Sequence, residues 1–138
     1  ARGYRVLDLG SFVEGETRDV ATAVAGVVRS IRAHGAPIAP PACVLLGGET
    51  TVTLGGAPAT AEIAKQVRPV ADGKGGRNQE FVLALLLKLG AQGMRGVTVL
   101  SAGTDGEDGP TDAAGAVADA RTLEALVQHQ LNANDFLR

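Results

Sequence analysis

Short apolar runs alternate with longer stretches of helical periodicity along the chain. Runs at residues 4–9, 42–46 and 97–102 predict three β-strands, and the second is apolar on both faces, as a strand covered by helices is. Residues 51–54 are β-prone, with Val52 and Leu54 on one side.

Two segments carry the spacing of helices. The first is predicted to begin at Gly15, with acids at Glu16 and Asp19 in its first turn, and to end at Gly35 and Pro37. Its apolar face is formed by Val20, Val24, Val27, Val28 and Ile31. The second helix, over residues 77–89, is apolar nearly all round, which is typical of a buried helix.

Weaker patterns predict three more helices. A short helix is predicted at residues 60–67, and Pro69 would end it. A second is predicted at residues 113–118 with Asp112 as its N-cap, and a third from about residue 122 to residue 131. Because strands alternate with helices, we expect an α/β fold: a layered, parallel or mixed sheet covered by helices on both faces. Ligands of such sheets bind at the carboxyl ends of the strands.

Composition narrows the function classes. A length of 138 residues predicts one domain, and 45% hydrophobic residues with 20% charged residues indicate a globular one. A net charge of −2 and 3% aromatic residues argue against nucleic acid as a partner. The single cysteine, Cys43, excludes an intrachain disulfide and is expected to be a buried small hydrophobe.

The chain shows no targeting or membrane-spanning pattern. It has no visible signal peptide and no apolar run near the roughly 20 residues of a membrane span, so we expect a cytoplasmic protein without a membrane partner. It also lacks a starting methionine, which suggests a piece of a longer protein.

One glycine-rich loop opens the second helix. Gly75 and Gly76 precede Arg77 and Asn78, and a helix N-terminus with bare amides and an arginine suits an anion. A flexible turn with a solvated arginine explains the same residues. No Gly-Lys-Ser/Thr ends the loop, which excludes a Walker A motif, and no dinucleotide fingerprint is present.

The other loop, residues 103–112, concentrates acids after a buried strand. Its carboxylates are Asp105, Glu107, Asp108 and Asp112. Hard oxygen ligands suit Mg²⁺, although an acidic surface turn with Asp112 as a helix cap is the alternative. Glu49, which follows two glycines, is a candidate to orient Arg77, to bind a hydroxyl or simply to be exposed.

Three motifs, residues 47–52, 75–80 and 103–116, resemble the MOFRL domain, and residues 9–10 and 14–16 are similar to its opening segment. This is the C-terminal domain of the type II glycerate kinases, which are often labelled hydroxypyruvate reductases. The resemblance implies that residues 1–138 are one MOFRL-type α/β domain of a two-domain enzyme, with the N-terminal domain as its partner. It also implies transfer of the γ-phosphoryl group of ATP to the 2-hydroxyl of glycerate, with Mg²⁺, in the cleft between the domains.

The same resemblance assigns roles to residues. Arg77 matches the catalytic arginine. The four acids of residues 103–112 allow several coordination schemes, and of these we predict Asp105 and Asp108 as the metal ligands. Substrate or phosphate would contact Gly48, Glu49, Thr50, Gly75, Gly76, Asn78, Thr104 and Gly106. Residues 55–73 look like an insertion that shifts Arg77 or adds a contact. Without the other domain, we expect the isolated chain to be inactive; an NAD(P)H-dependent hydroxypyruvate reductase and a non-catalytic ligand-binding module remain the alternatives.

Overall fold

The computed structural model describes residues 3–53 and 75–137. These ranges contain the strands β1 (Arg5–Asp8), β2 (Val13–Glu16), β3 (Ala42–Leu45), β4 (Gly48–Thr51), β5 (Val99–Ala102) and β6 (Gly115–Ala118). They also contain the helices α1 (Thr17–His34), α2 (Arg77–Met94) and α3 (Ala120–Gln128), followed by a 3₁₀ turn at Ala133–Phe136. The predicted helix at 60–67, the predicted insertion at 55–73 and Gly73-Lys74 lie outside the described residues.

The strands form two parallel pairs and one antiparallel pair. β1 pairs with β3 and β2 with β4, both parallel, whereas β5 and β6 are antiparallel. β2 continues β1 and β4 continues β3 across a shared bend, where the Gly47 amide donates to the Gly10 carbonyl at 2.8 Å. The predicted α/β class, with parallel and mixed pairing, is confirmed.

The core lies mainly between α1 and α2. Its buried members are Ala21, Val24, Ala25, Phe81, Val82, Leu85, Leu86, Leu89, Met94 and Ala118. The predicted apolar face of the first helix and the predicted burial of the second are both confirmed. Arg29 donates to the Lys88 carbonyl and Arg32 to the Gln92 and Gly93 carbonyls, so α1 also satisfies acceptors near the end of α2.

Helix α1 begins later than predicted. Gly15 and Glu16 lie in β2, and Thr17 is the first helical residue. The buried Thr17 hydroxyl donates to the Thr51 carbonyl at 2.8 Å and lies 2.9 Å from the Thr50 hydroxyl. This contact fastens the start of α1 to β4. The predicted end is confirmed, because Gly35 follows the helix in the left-handed conformation.

The prediction of a helix after Asp112 is wrong. Residues 115–118 form β6, and the cap of the following helix is Asp119, whose side chain accepts from the Arg121 amide at 2.9 Å. The Arg121 side chain also lowers the pKa of Asp119.

The predicted strand at 51–54 is placed too late, because β4 occupies Gly48–Thr51.

Strand β3 is less covered than its sequence predicts. Cys43 is half-buried rather than fully buried, and Leu45 is 50% exposed. Among the described helices, none is long and apolar enough to cross a membrane.

Leu86→Ala tests the packing of α1 against α2. Leu86 is 1% exposed, so the substitution leaves a cavity and should lower the free energy of unfolding by about 2–5 kcal/mol. Chemical denaturation of the purified chain measures this free energy of unfolding. Val127, which is 77% exposed, supplies the control, because Val127→Ala should change the stability by less than about 0.5 kcal/mol. Equal losses in both variants would contradict this core.

Candidate active site

A cavity of about 570 Å³ lies between β3–β4, β5 and the start of α2. Its apolar lining includes Val20, Val44, Leu46, Phe81 and Leu100, and its polar lining includes Glu49, Thr50, Arg77, Asn78, Ser101, Thr104 and Asp105. Glu49 and Thr50 follow β3, Thr104 and Asp105 follow β5, and Arg77 and Asn78 open α2. Such a grouping beyond strand ends is expected for a ligand site of an α/β sheet.

The cavity gathers most of the residues that the sequence analysis singled out. Those lining it are Gly48, Glu49, Thr50, Arg77, Asn78, Thr104 and Asp105. Four others, Gly75, Gly76, Gly106 and Asp108, are not among its lining residues. The three motifs therefore meet in space, but they contribute to the site unequally.

Arg77 and Glu49 form an ion pair in the cavity wall. The Arg77 Nη1 atom lies 2.9 Å from Glu49 Oε1, and both side chains are exposed. An exposed pair of this kind contributes about 0–1 kcal/mol to stability, so its main effect is on where the guanidinium lies. Because a guanidinium has several donors, the arginine can keep this partner and still bind an anion.

Asp108 caps helix α2 from a distant loop. The residue is 2% exposed, and its carboxylate accepts from the backbone amides of Asn78 and Gln79, each at 2.9 Å, and from Asn78 Nδ2 at 3.1 Å. Gly76, in the N-cap position, has no side chain with which to cap the helix. Asp108 supplies the missing acceptor.

This cap bears on two predictions. Of the amides predicted to hold an anion at the start of α2, that of Asn78 already binds a carboxylate of the chain itself, as does the neighbouring amide of Gln79. Both oxygens of Asp108 accept from backbone amides of α2, so in this structure its carboxylate acts as the helix cap. The prediction that Asp108 is a metal ligand stays a prediction. The glycine at position 76 serves packing, because a Cβ there would collide with the Asp108 side chain.

Ser101 and Thr111 support the cap, and the sequence analysis missed both. The Ser101 hydroxyl donates to Asn78 Oδ1 at 2.6 Å, and the Thr111 hydroxyl donates to the Asp108 carbonyl at 2.8 Å. Gln79 Nε2 reaches the Thr111 hydroxyl at 3.1 Å. A serine within an otherwise apolar strand was the available signal for Ser101.

Asp105 lies in a tight turn at the cavity wall. The Gly106 amide donates to the Gly103 carbonyl at 3.1 Å, and Asp105 Oδ1 accepts from the Glu107 amide at 3.2 Å. Within residues 3–53 and 75–137, no hydrogen bond is donated by the backbone amides of Thr104 and Asp105.

The carboxylates do not form a metal cage. In the described part of the chain, no group of three or more His, Cys, Asp or Glu side chains could hold a metal ion. Mg²⁺ commonly takes one or two carboxylates and completes its shell with phosphate oxygens and water. Asp105 fits that mode, whereas Glu107 and Asp112 are exposed outside the cavity lining.

Comparison with known proteins gives a consistent set of relatives. The MOFRL family model matches residues 42–138. The chain is 34% identical over 125 residues to the D-glycerate 2-kinase of Thermotoga maritima, covering 91% of this chain and 26% of that protein. It is 43% identical over 126 residues to an Agrobacterium vitis protein provisionally named a hydroxypyruvate reductase, and this match covers 91% of this chain and 29% of that protein.

A solved structure agrees with these sequence matches. The crystal structure of glycerate kinase from Thermotoga maritima superposes with a TM-score of 0.77 at 29% identity, covering 99% of this chain and 29% of that one. The chain therefore spans about a quarter of the length of the curated relatives it matches.

Asp108→Ala tests the cap. Removing the carboxylate leaves two backbone amides without their acceptor, so the free energy of unfolding should fall by about 1–3 kcal/mol, measured by chemical denaturation. Asp112 is an exposed acid of the same loop, and Asp112→Ala should have almost no effect. If the two variants unfold alike, the cap does not contribute as described.

Proposed function

The chain belongs to the MOFRL family, and from this membership and the cavity's geometry we propose that it is the C-terminal domain of a glycerate 2-kinase. The parent enzyme would transfer the γ-phosphoryl group of ATP to the 2-hydroxyl of glycerate. The observation that carries the proposal is Arg77, which is held by Glu49 in the same cavity wall as the turn containing Thr104 and Asp105. Because the relatives are much longer, we place the complete site between this domain and the N-terminal domain.

Arg77 would bind the transferring phosphoryl group. Phosphoryl transfer depends mostly on positioning and on neutralising charge spread over the phosphoryl oxygens. The planar guanidinium suits bidentate contact with phosphate oxygens, and Glu49 keeps it in the cavity wall. The amides of Thr104 and Asp105 would add donors from the neighbouring turn.

Glu49 has a further role in the proposal. Only its Oε1 atom contacts Arg77, which leaves Oε2 able to accept a hydrogen bond from a hydroxyl of glycerate. Thr50 is fixed by its contact with Thr17, and a Cβ on Gly48 would collide with the Val13 carbonyl. These two residues would shape the wall beside the substrate.

Asp105 would be the carboxylate that this domain contributes to Mg²⁺. The metal, held chiefly by ATP phosphates and water, would supply charge neutralisation on the phosphates. Asp105 is suited to this because its turn lies in the same cavity wall as Arg77. Asp108 instead keeps the start of α2 in place.

Arg77→Ala in the longer enzyme is the direct test of the proposal. Loss of an arginine that stabilises phosphoryl-transfer charge should lower kcat by roughly 10³-fold or more in a coupled assay with ATP, glycerate and Mg²⁺. Arg77→Lys should recover only part of the rate, because lysine lacks the planar fork. Arg121→Ala, which also breaks an exposed ion pair but lies outside the cavity lining, should keep the wild-type rate.

The same assay separates the alternatives. A parent protein that oxidises NADH with hydroxypyruvate, and does not phosphorylate glycerate, would be a reductase. A protein that binds glycerate but turns over neither substrate would be a binding module. Robust kinase activity from the isolated 138-residue chain would contradict a site shared between two domains.

Asp105→Asn tests the metal contact. Replacing a carboxylate ligand with an amide should raise the Mg²⁺ concentration needed for half-maximal rate by about tenfold or more, measured by titrating Mg²⁺ at saturating ATP and glycerate. Glu107 provides a matched control in the same loop, because it is exposed and lies outside the cavity lining. Equal Mg²⁺ requirements for Asp105→Asn and Glu107→Gln would remove Asp105 from the metal site.

A further inference from the structure

Ser101 places in the cavity wall a hydroxyl group whose proton is already in use. The residue lies in β5 and lines the cavity together with Asn78, at the start of α2. A serine hydroxyl has one proton to donate and an oxygen that can accept. The direction of its hydrogen bond with Asn78 therefore decides what Ser101 can offer to a ligand.

The Asp108 carboxylate fixes the direction of that bond. It accepts from two backbone amides of α2, and Asn78 Nδ2 is its third donor, at 3.1 Å. Because an ionised carboxylate only accepts, the NH₂ end of the Asn78 side chain must face Asp108, and the Oδ1 atom must face Ser101. An amide oxygen also only accepts, so the Ser101 hydroxyl donates to it, at 2.6 Å.

Ser101 can consequently bind a ligand only through its oxygen atom. The ionised oxygens of phosphate and carboxylate groups need donors, and Ser101 has no further proton to donate. A hydroxyl group of a ligand can instead donate to Ser101. The serine therefore suits a hydroxyl-bearing part of a ligand, whereas the Arg77 guanidinium suits its anionic part.

The neutral oxygen of Ser101 suits a hydroxyl that keeps its proton. In the proposed reaction, the 2-hydroxyl oxygen of glycerate bonds to the γ-phosphorus, its proton is released to a base and ADP leaves. A serine hydroxyl that remains protonated and bound to Asn78 is not such a base, unlike a carboxylate. The 3-hydroxyl of glycerate takes no part in the transfer, so a neutral acceptor is sufficient for it.

We propose that Ser101 is a specificity-determining residue whose oxygen accepts a hydrogen bond from the 3-hydroxyl of glycerate, the ligand named by the proposed function on which this inference rests. Ser101 then has two roles, because the bond that supports the start of α2 also leaves its oxygen as an acceptor in the cavity wall. Lactate has the carboxylate and the 2-hydroxyl of glycerate but lacks the 3-hydroxyl. It would leave the Ser101 oxygen without this donor.

Paired binding measurements with glycerate and lactate of the same configuration test this role in the longer parent protein. Isothermal titration calorimetry gives the Kd of each ligand. A substitution that only loosens the site weakens both ligands alike, whereas loss of the Ser101 contact weakens glycerate alone. In Ser101→Ala, the ratio of the lactate Kd to the glycerate Kd should therefore fall by roughly three- to tenfold, as expected for one neutral hydrogen bond.

Thr111→Val is the matched control. The Thr111 hydroxyl also supports the Asp108 cap, but the residue is not among those lining the cavity. Its substitution should affect the two ligands equally and leave the ratio of Kd values at the wild-type value. Ser101→Thr, which keeps a hydroxyl at the same position of β5, should retain most of the preference for glycerate.

Two results would overturn the inference. An unchanged Kd ratio in Ser101→Ala, even with both ligands bound more weakly, would mean that Ser101 acts only on the start of α2. Equal affinity of the wild-type protein for glycerate and lactate would mean that no group binds the 3-hydroxyl. Because binding does not require turnover, the expected ratios in a protein that fails to phosphorylate glycerate would contradict the kinase proposal and still support the role of Ser101.

Discussion

The carboxylate of Asp108 holds the site together. The first backbone amides of a helix have no acceptor within the helix, and at the start of α2 two of them bind this buried side chain. These hydrogen bonds join the acidic loop, residues 103–112, to Asn78 and Gln79, which directly follow Arg77. The position of the arginine relative to the Asp105 turn therefore depends on an interaction between segments 30 residues apart in sequence, which the bonds of Ser101 and Thr111 reinforce.

The charged side chains that line the cavity are Arg77, Glu49 and Asp105, so the lining carries a net charge of −1. Glu49 pairs with Arg77, and Asp108 occupies the positive end of the helix dipole behind them. For an anion, this domain offers the guanidinium donors that Glu49 leaves free and, in our proposal, the turn amides of Thr104 and Asp105. This arrangement suits an anionic ligand whose negative charge is partly neutralised by a metal ion and by groups of a second domain.

Strands β3 and β5 position two of the carboxylates of the site. Residues of both strands line the apolar part of the cavity, and the segments that follow them carry Glu49 and Asp105. The separation of the two strands therefore sets the distance between these carboxylates.

The sequence by itself determined the elements whose signal is local. The apolar runs predicted β1, β3 and β5, the helical spacing predicted α1 and α2, and the rule for strand ends brought Glu49, Arg77 and Asp105 to one cavity. Residues 115–118, Gly-Ala-Val-Ala, carry no such periodicity, and only pairing with β5 makes them a strand. The role of Asp108 was likewise decided by tertiary structure. A residue that caps a helix from a distant segment has no fixed spacing from that helix in the sequence, so no local pattern predicts it.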